Sequence, residues 1–253
     1  MAGVYEQLLA ARQSRGGGFL LLIDSDRTSE SEYLPLAEAA ADCGVDGILV
    51  GTSFMLAGHF GDAVKKIKSV TMLPVIIFPG SYTQVTPHAD AILFTSLISG
   101  RNPQYLIDEQ VKGAPFVKQA GLETIPTGYM LIESGPLTSV QFISGSLPIP
   151  RSKPDIAAAH AMAAQYLGMK QVYLEAGSGA EHPVPVEMVR TVASMIDIPV
   201  MVGGGLETPE DCALRIEAGA GFIVMGTRME RDAAYSYLRE LTAASHPLEK
   251  VEV

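Results

Sequence analysis

The chain has 253 residues, of which 47% are hydrophobic and 18% are charged, and its formal net charge is −10. This composition excludes a disordered protein, and the negative charge argues against a nucleic-acid partner, because DNA or RNA would be repelled. The length is typical of one (βα)8 barrel.

The N-terminal segment predicts a helix over 4–15 and lacks the apolar core of a signal peptide. No apolar run reaches the roughly 18 residues of a membrane span, so we expect no such span. The two cysteines, Cys43 and Cys212, fall in predicted helices and are expected to be buried thiols rather than a disulfide. Together, these features predict a soluble, cytoplasmic protein.

Short apolar runs alternate with helical patterns along the whole chain. Runs of this length are typical of parallel strands that are buried on both faces. We predict strands over 19–23, 47–50, 75–78, 91–94, 128–132, 171–174, 199–202 and 222–225. We predict helices between most of them, over 32–43, 62–69, 103–120, 155–167, 185–196, 209–218 and 232–244. The pattern indicates an α/β fold, a modified (βα)8 TIM barrel that forms one domain over 1–253.

Local signals refine two of the predicted helices. Ser29 and Ser31 are candidate N-caps of the helix over 32–43. Gly113 and Pro115 are expected to break the helix over 103–120, because both residues disfavour a helix interior.

One connection departs from the alternation. Residues 79–90 are near the minimum length for a parallel crossover and contain Pro79, Gly80 and Pro87. We therefore predict that the third helix of the barrel is missing and that an extended or irregular segment replaces it. The resulting gap in the outer ring would admit a long apolar ligand beside the strand ends.

A second irregular stretch covers residues 134–154, which include four prolines and follow the fifth predicted strand. Active sites of this fold lie on the face where that strand ends. We predict that the stretch is a loop that covers the substrate.

Glycines follow each of the last three predicted strands, in the sequences YLEAGSG at 173–179, VGGG at 202–205 and MGTR at 225–228. Glycine lets backbone N–H groups approach a ligand, and the following helix N-termini favour anions. A tight turn explains any one of these glycine runs. Their occurrence at three successive strand ends predicts a phosphate site.

Acidic residues follow the first predicted strand. Asp24 and Asp26 are expected to face the same mouth as the glycines, with a hydroxyl from Thr52 or Ser53 on the second strand. Mg²⁺ usually takes one or two carboxylates together with substrate phosphates and water. The alternative is that Asp26 caps the next turn and only Asp24 points inward.

Tyr173 and Glu175 lie two residues apart on one strand, so both side chains share one face. Near the mouth, Glu175 is expected to accept a hydrogen bond or a proton from a substrate hydroxyl. A structural carboxylate paired with a neighbouring cation is the alternative. Arg101, Lys153 and Arg228 are each either diphosphate contacts or solvated surface charges, and the five histidines lack zinc-ligand spacing.

These motifs, with IDSD at 23–26 and VGTS at 50–53, resemble the geranylgeranylglyceryl phosphate synthase family from about Phe19 to Arg228. The family fold is a (βα)8 barrel without the third helix. The resemblance implies transfer of a long prenyl group, with geranylgeranyl diphosphate as the expected donor, to the C3 hydroxyl of sn-glycerol 1-phosphate. It further implies Mg²⁺ at Asp24 and Ser53, catalytic roles for Glu175 and Tyr173, and a homo-oligomer. The implied glycerol phosphate site comprises Tyr173, Leu174, Glu175, Ala176, Gly177, Ser178, Gly179, Gly203, Gly204, Gly205, Gly226 and Thr227.

Two strand ends depart from the family pattern. Ser25 and Arg27 stand where the family commonly has Pro and Lys, which leaves diphosphate contacts of Asp26 and Arg27 open. Thr227 replaces a common Asn and keeps a hydroxyl donor. The alternatives are another phosphate-binding barrel, such as an isomerase or lyase of histidine or tryptophan biosynthesis, and a barrel that senses phosphate without catalysis. An acid–base pair at opposing strand ends would favour the former.

Overall fold

Eight parallel strands pair in chain order, and the eighth closes on the first, so the predicted barrel is confirmed. The computed structural model describes residues 2–56, 58–226 and 235–249. The strands are β1 Gly18–Ile23, β2 Gly47–Val50, β3 Val75–Ile77, β4 Ala91–Leu97, β5 Glu123–Leu131, β6 Gln171–Glu175, β7 Val200–Gly203 and β8 Phe222–Met225.

The described helices surround the barrel, except for α1, which packs against the interior core. They are α1 Val4–Arg15, α2 Glu30–Ala39, α3 Phe60–Val70, α4 Glu109–Ala120, α5 Ser139–Ser144, α6 Pro154–Tyr166, α7 Val186–Met195, α8 Pro209–Glu217 and α9 Ser236–Ser245. Ser29 is the N-cap of α2, where its N–H donates to the Glu32 carboxylate over 2.9 Å. The first three residues of the predicted final helix, 232–234, lie outside the described residues. Within the described part of the chain, no helix has both the length and the apolar character needed to cross a bilayer.

The apolar core has two layers because strand side chains alternate between the two faces of the sheet. One layer fills the barrel interior, where Leu8 of α1 packs with side chains such as Leu20 and Phe222. The other layer lies between the sheet and the surrounding helices, and Leu174 and Val202 belong to it. A residue one position away from an interior residue therefore faces the helices.

The predicted absence of a helix between β3 and β4 is confirmed. This connection contains only a short 3-10 turn, Tyr82–Gln84. β3 pairs with β4 through only Ile76–Ala91 and Ile77–Ile92, whereas β4 pairs with β5 along its whole length. The sheet therefore opens between β3 and β4 beyond Ile92.

The predicted break in the helix over 103–120 is wrong. A π-helical turn, Gln104–Asp108, leads into α4, which continues through Gly113 and Pro115. Gly113 is buried, and a Cβ there would lie 3.3 Å from Cβ of Tyr82, so glycine permits close packing on the 3-10 turn. Pro115 and Val111 are exposed, which lets water solvate the carbonyl that proline leaves without a donor.

Candidate active site

A cavity of about 910 Å³ opens at the C-terminal ends of the strands. One end is polar and lies among the ends of β1, β2, β6, β7 and β8. The predicted site residues that line this cavity are Asp24, Ser53, Tyr173, Glu175, Gly177, Ser178, Gly179, Gly204, Gly205 and Gly226. Residues predicted from five separate parts of the sequence thus meet in one space.

Other predicted site residues lie elsewhere. Leu174 and Ala176 are fully buried between the sheet and the helices, because they alternate with Tyr173 and Glu175 along β6. Gly203 lies behind Tyr173 and does not line the cavity. Thr227 and Arg228 lie outside the described residues, so their predicted roles stay predictions.

Glu175 is a buried carboxylate at the end of β6. Its Oε1 accepts a hydrogen bond from the Gly177 N–H over 2.5 Å, and the Tyr173 hydroxyl also hydrogen-bonds to the carboxylate. Burial raises the pKa of Glu175 above its ordinary value, although both hydrogen bonds favour the charged form. The site therefore holds a carboxylate whose proton affinity is increased, as a group that accepts a proton requires.

The β7 glycines have a packing reason as well as a predicted ligand role. A Cβ on Gly203 would overlap the Tyr173 hydroxyl, and one on Gly204 would overlap Glu175 and lie 2.5 Å from the Gly177 nitrogen. Gly204 also has a φ of +81°, which side-chain-bearing residues rarely adopt. Glycines here allow β7 to lie directly against the Tyr173 and Glu175 side chains of β6.

Asp24 lies at the end of β1 with its side chain 28% exposed. Its Oδ1 accepts from the Asp26 N–H over 3.1 Å, and the Arg27 Nε lies 3.6 Å from Oδ2. Burial raises the pKa of Asp24, against hydrogen bonds from Asp26 and Thr52. Asp26 instead accepts from the Leu56 N–H over 2.5 Å and does not line the cavity. Of the two alternatives, the structure favours the one in which only Asp24 points inward.

The oxygen ligands that the protein offers at this end fit a magnesium ion only if substrate phosphates and water complete its coordination. Within the described residues, no group of three His, Cys, Asp or Glu side chains is arranged to hold a metal. Asp24 and Ser53 both line the cavity, at the ends of the neighbouring strands β1 and β2. Mg²⁺ binds in this way where substrate phosphates and water complete its octahedron.

The other end of the cavity is an apolar arm that passes through the opening between β3 and β4. It is lined by Val85, Ile92, Phe94, Leu97, Tyr105, Val117, Val140 and Ile143. Val140 and Ile143 belong to α5, so the stretch predicted as a covering loop contributes a helix to this wall. The arm occupies the space that a third helix of the barrel would fill.

Three aromatic rings lie where the two ends meet, and two of them, Phe78 and Tyr129, were not among the predicted site residues. Phe78 and Tyr129 lie with their ring centroids 5.3 and 5.5 Å from that of Tyr173. Tyr129 pairs directly with Tyr173 across β5 and β6. The strand register was the missing signal, because it puts the two tyrosines side by side on the inner face.

Charge in the cavity is mainly negative. Among the described lining residues, Asp24, Glu109, Glu175 and Glu207 are acidic and Arg27 alone is basic. Arg101 does not line the cavity, and its NH1 donates to the Gly100 carbonyl over 2.7 Å. An anionic ligand here would therefore depend on backbone N–H groups and a metal for much of its stabilisation.

A sequence profile of the PcrB family matches residues 10–245. The chain belongs to the PcrB family. It is 41% identical to a geranylgeranylglyceryl phosphate synthase of Chitinophaga pinensis over 96% of both proteins. It is 48% identical to one of Pyrococcus horikoshii over 83% of both. A crystal structure of (S)-3-O-geranylgeranylglyceryl phosphate synthase from Thermoplasma acidophilum, in complex with sn-glycerol-1-phosphate, is 37% identical. It superposes with a TM-score of 0.92 over 98% of this chain and 100% of that one.

Proposed function

We propose that this PcrB-family chain joins the C3 hydroxyl of sn-glycerol 1-phosphate to a long-chain prenyl diphosphate. The products are a prenylglyceryl phosphate ether and diphosphate. The observation that carries the proposal is one cavity with a glycine-lined polar end and an apolar arm, in a chain whose Thermoplasma relative binds sn-glycerol-1-phosphate.

The phosphate of glycerol phosphate binds at the glycine-lined end. Gly177, Gly179, Gly204 and Gly205 all have positive φ and line the cavity from two adjacent loops. The Gly177 N–H already donates to Glu175, whereas the missing side chains of Gly179, Gly204 and Gly205 leave the backbone of both loops open to a ligand. Backbone N–H groups bind phosphate without carrying a formal charge. This explains how an acidic protein holds an anionic substrate.

Glu175 orients the attacking hydroxyl. One carboxylate oxygen already accepts from Gly177, and Tyr173 restrains the same group. The remaining acceptor capacity is directed to the substrate hydroxyl, and the raised pKa suits Glu175 to take the proton as the C–O bond forms. The prenyl carbon that is attacked gains positive charge as diphosphate leaves, and the nearby carboxylate and aromatic rings favour that charge.

The prenyl chain lies in the apolar arm. Burial of its hydrocarbon surface there would stabilise the bound state by about 25 cal/mol per Å². Asp24 and Ser53 would hold Mg²⁺, which when bound supplies charge neutralisation for the diphosphate leaving group. Geranylgeranyl diphosphate as the donor and a homo-oligomeric state are further parts of this proposal.

An assay with purified protein, sn-glycerol 1-phosphate, Mg²⁺ and prenyl diphosphates of 10 to about 35 carbons tests the function. We expect a lipid-soluble phosphate ether with a maximum rate at one long chain length. sn-Glycerol 3-phosphate, the enantiomer, is the matched control. It should react poorly, because a site that binds its phosphate in the same place would hold its primary hydroxyl in a different position. Absence of ether product with every donor would contradict the proposal, and undiminished turnover in EDTA would contradict its magnesium part.

A further inference from the structure

Two arginines outside the cavity hold the loop that follows β6. Arg151 NH1 lies within 2.9 Å of the Pro183 carbonyl and 3.4 Å of the His182 carbonyl, and it also reaches the Glu133 carbonyl over 3.1 Å. It therefore joins the end of β5 to the β6–α7 loop. Neither Arg151 nor His182 lines the cavity, so neither contacts a bound substrate there.

The second arginine joins the β6–α7 loop to the loop that follows β7. Arg215 on α8 is 7% exposed, and its Nε and NH2 donate to the Val184 carbonyl over 3.2 and 3.1 Å. Its NH1 forms an ion pair of 2.9 Å with Asp211. The Asp211 Oδ2 accepts from the Glu207 and Thr208 N–H groups, each over 3.1 Å. One hydrogen-bond network, buried at Arg215, thus ties together two successive loops.

The segment held by these arginines packs against the glycines of the phosphate end. A Cβ on Gly205 would lie 3.0 Å from the Pro183 nitrogen and 3.1 Å from the Ala180 carbonyl oxygen. Both Gly205 and Ala180 line the cavity. Because the backbones touch without an intervening side chain, a shift of 182–184 would move the cavity wall directly.

We propose that Arg151 and Arg215 are positioning residues that set the spacing of the β6–α7 and β7–α8 loops, and thereby the affinity for the phosphate of glycerol phosphate. The inference rests on the proposed function for the identity of the ligand. Its physical basis is that two guanidinium groups satisfy three consecutive carbonyls, 182 to 184, on the outer side of the loop. Pro183 and Pro185 supply no N–H groups, so the loop has few backbone donors to hold its shape without the arginines.

The test replaces Arg151 by Met, which keeps an unbranched apolar stem and removes the donors. Calorimetric titration measures the affinity for sn-glycerol 1-phosphate and for inorganic phosphate, and steady-state kinetics measure KM for each substrate. We expect R151M to weaken both phosphate ligands by about 10- to 100-fold, as small displacements of a binding wall do, with KM for prenyl diphosphate changed less than about twofold. Arg151→Lys should recover part of the affinity.

Arg190→Met is the matched control, because Arg190 lies on the exposed face of α7 and pairs only with Glu187 among the described residues. It should leave both affinities unchanged. Arg215→Lys keeps the ion pair with Asp211 but loses the fork on Val184, and should act in the same direction as R151M. Melting curves identify any variant whose loss reflects unfolding.

Outcomes separate this inference from the proposed function. Unchanged glycerol phosphate affinity in a folded R151M protein would overturn the inference, as would equal weakening of both substrates. A wild-type protein that binds glycerol phosphate but forms no ether would contradict the proposed function alone, and the R151M titration would still decide the inference.

Discussion

Replacement of Glu175 by Gln gives the sharpest test of the chemistry, because it keeps the size of the side chain and removes its charge. A Gln carbonyl can still accept from the Gly177 N–H. If Glu175 only orients the substrate hydroxyl, the loss is that of one hydrogen bond to a charged group, about 1.5–3 kcal/mol, or roughly 10- to 150-fold in rate. If it also takes the proton, the loss is about 10²- to 10⁴-fold.

The assay is kcat/KM for glycerol phosphate over a range of pH. Burial raises the pKa of Glu175 above its ordinary value of 4.5, and the ionised form is the active one. Activity of the wild type should therefore rise with pH through this raised pKa, and Glu175→Gln should lack that acid limb. Glu187→Gln removes an exposed carboxylate that pairs with Arg190 on α7, outside the cavity, and should change kcat/KM less than about threefold. A change below about threefold in Glu175→Gln, or an acid limb that persists, would refute the reasoning.

The raised pKa of Glu175 also has a consequence for stability. A carboxyl whose pKa is higher in the folded state stabilises the fold most below its unfolded-state pKa, and this contribution is lost as pH rises through the folded-state pKa. Glu175→Gln cannot ionise, so its Tm should rise relative to wild type between acidic and neutral pH. A fall in relative Tm would mean that the fold requires the ionised carboxylate.

Three further substitutions test separate parts of the site. Asp24→Asn should lower activity at limiting Mg²⁺ by at least about tenfold with an unchanged melting curve, and wild-type turnover would exclude Asp24 as a metal ligand. Gly204→Val should lower Tm and weaken both substrates, because its positive φ alone costs about 1–2 kcal/mol; a Tm equal to wild type would contradict the packing described for β7. Val117→Trp should shift the preferred donor to a shorter prenyl chain, compared by product mass, while an unchanged preference would exclude α4 from the chain-binding wall.

The sequence was sufficient for the barrel and for the missing helix, but not for strand register. Residues 79–90 are near the minimum length for a crossover and contain prolines and a glycine, which disfavour a helix interior, and both signals are local properties of the sequence. β5 extends from Glu123, yet Pro126 and neighbouring polar residues hide its first half from a search for apolar runs. Tyr129 and Tyr173 both lie within predicted strands, but which residue of one strand pairs with which residue of the other could not be inferred from either segment alone.

Site residues were predictable where they stand in contiguous motifs and not where they act across loops. Asp24 and Glu175 follow strands and carry obvious chemistry, so both were found. Arg151 and Arg215 were not singled out, because their partners are backbone carbonyls that are distant in sequence. Hydrogen bonds to carbonyls leave no trace in residue type, so only coordinates identify them.

The polar end and the apolar arm share one structural cause. β3 ends at Ile77, so the chain leaves the sheet early. Gly51 permits this path, because a Cβ there would overlap the Phe78 carbonyl oxygen. The buried Gln84 then takes over the anchoring role of a helix: its amide donates to the Thr52 carbonyl over 3.0 Å and accepts from the Gly80 N–H over 2.8 Å. These two bonds hold the replacement segment against the strand end beside Ser53. The same side chain therefore contacts both the segment beside the opening proposed to admit a prenyl chain and the strand end proposed to hold its diphosphate.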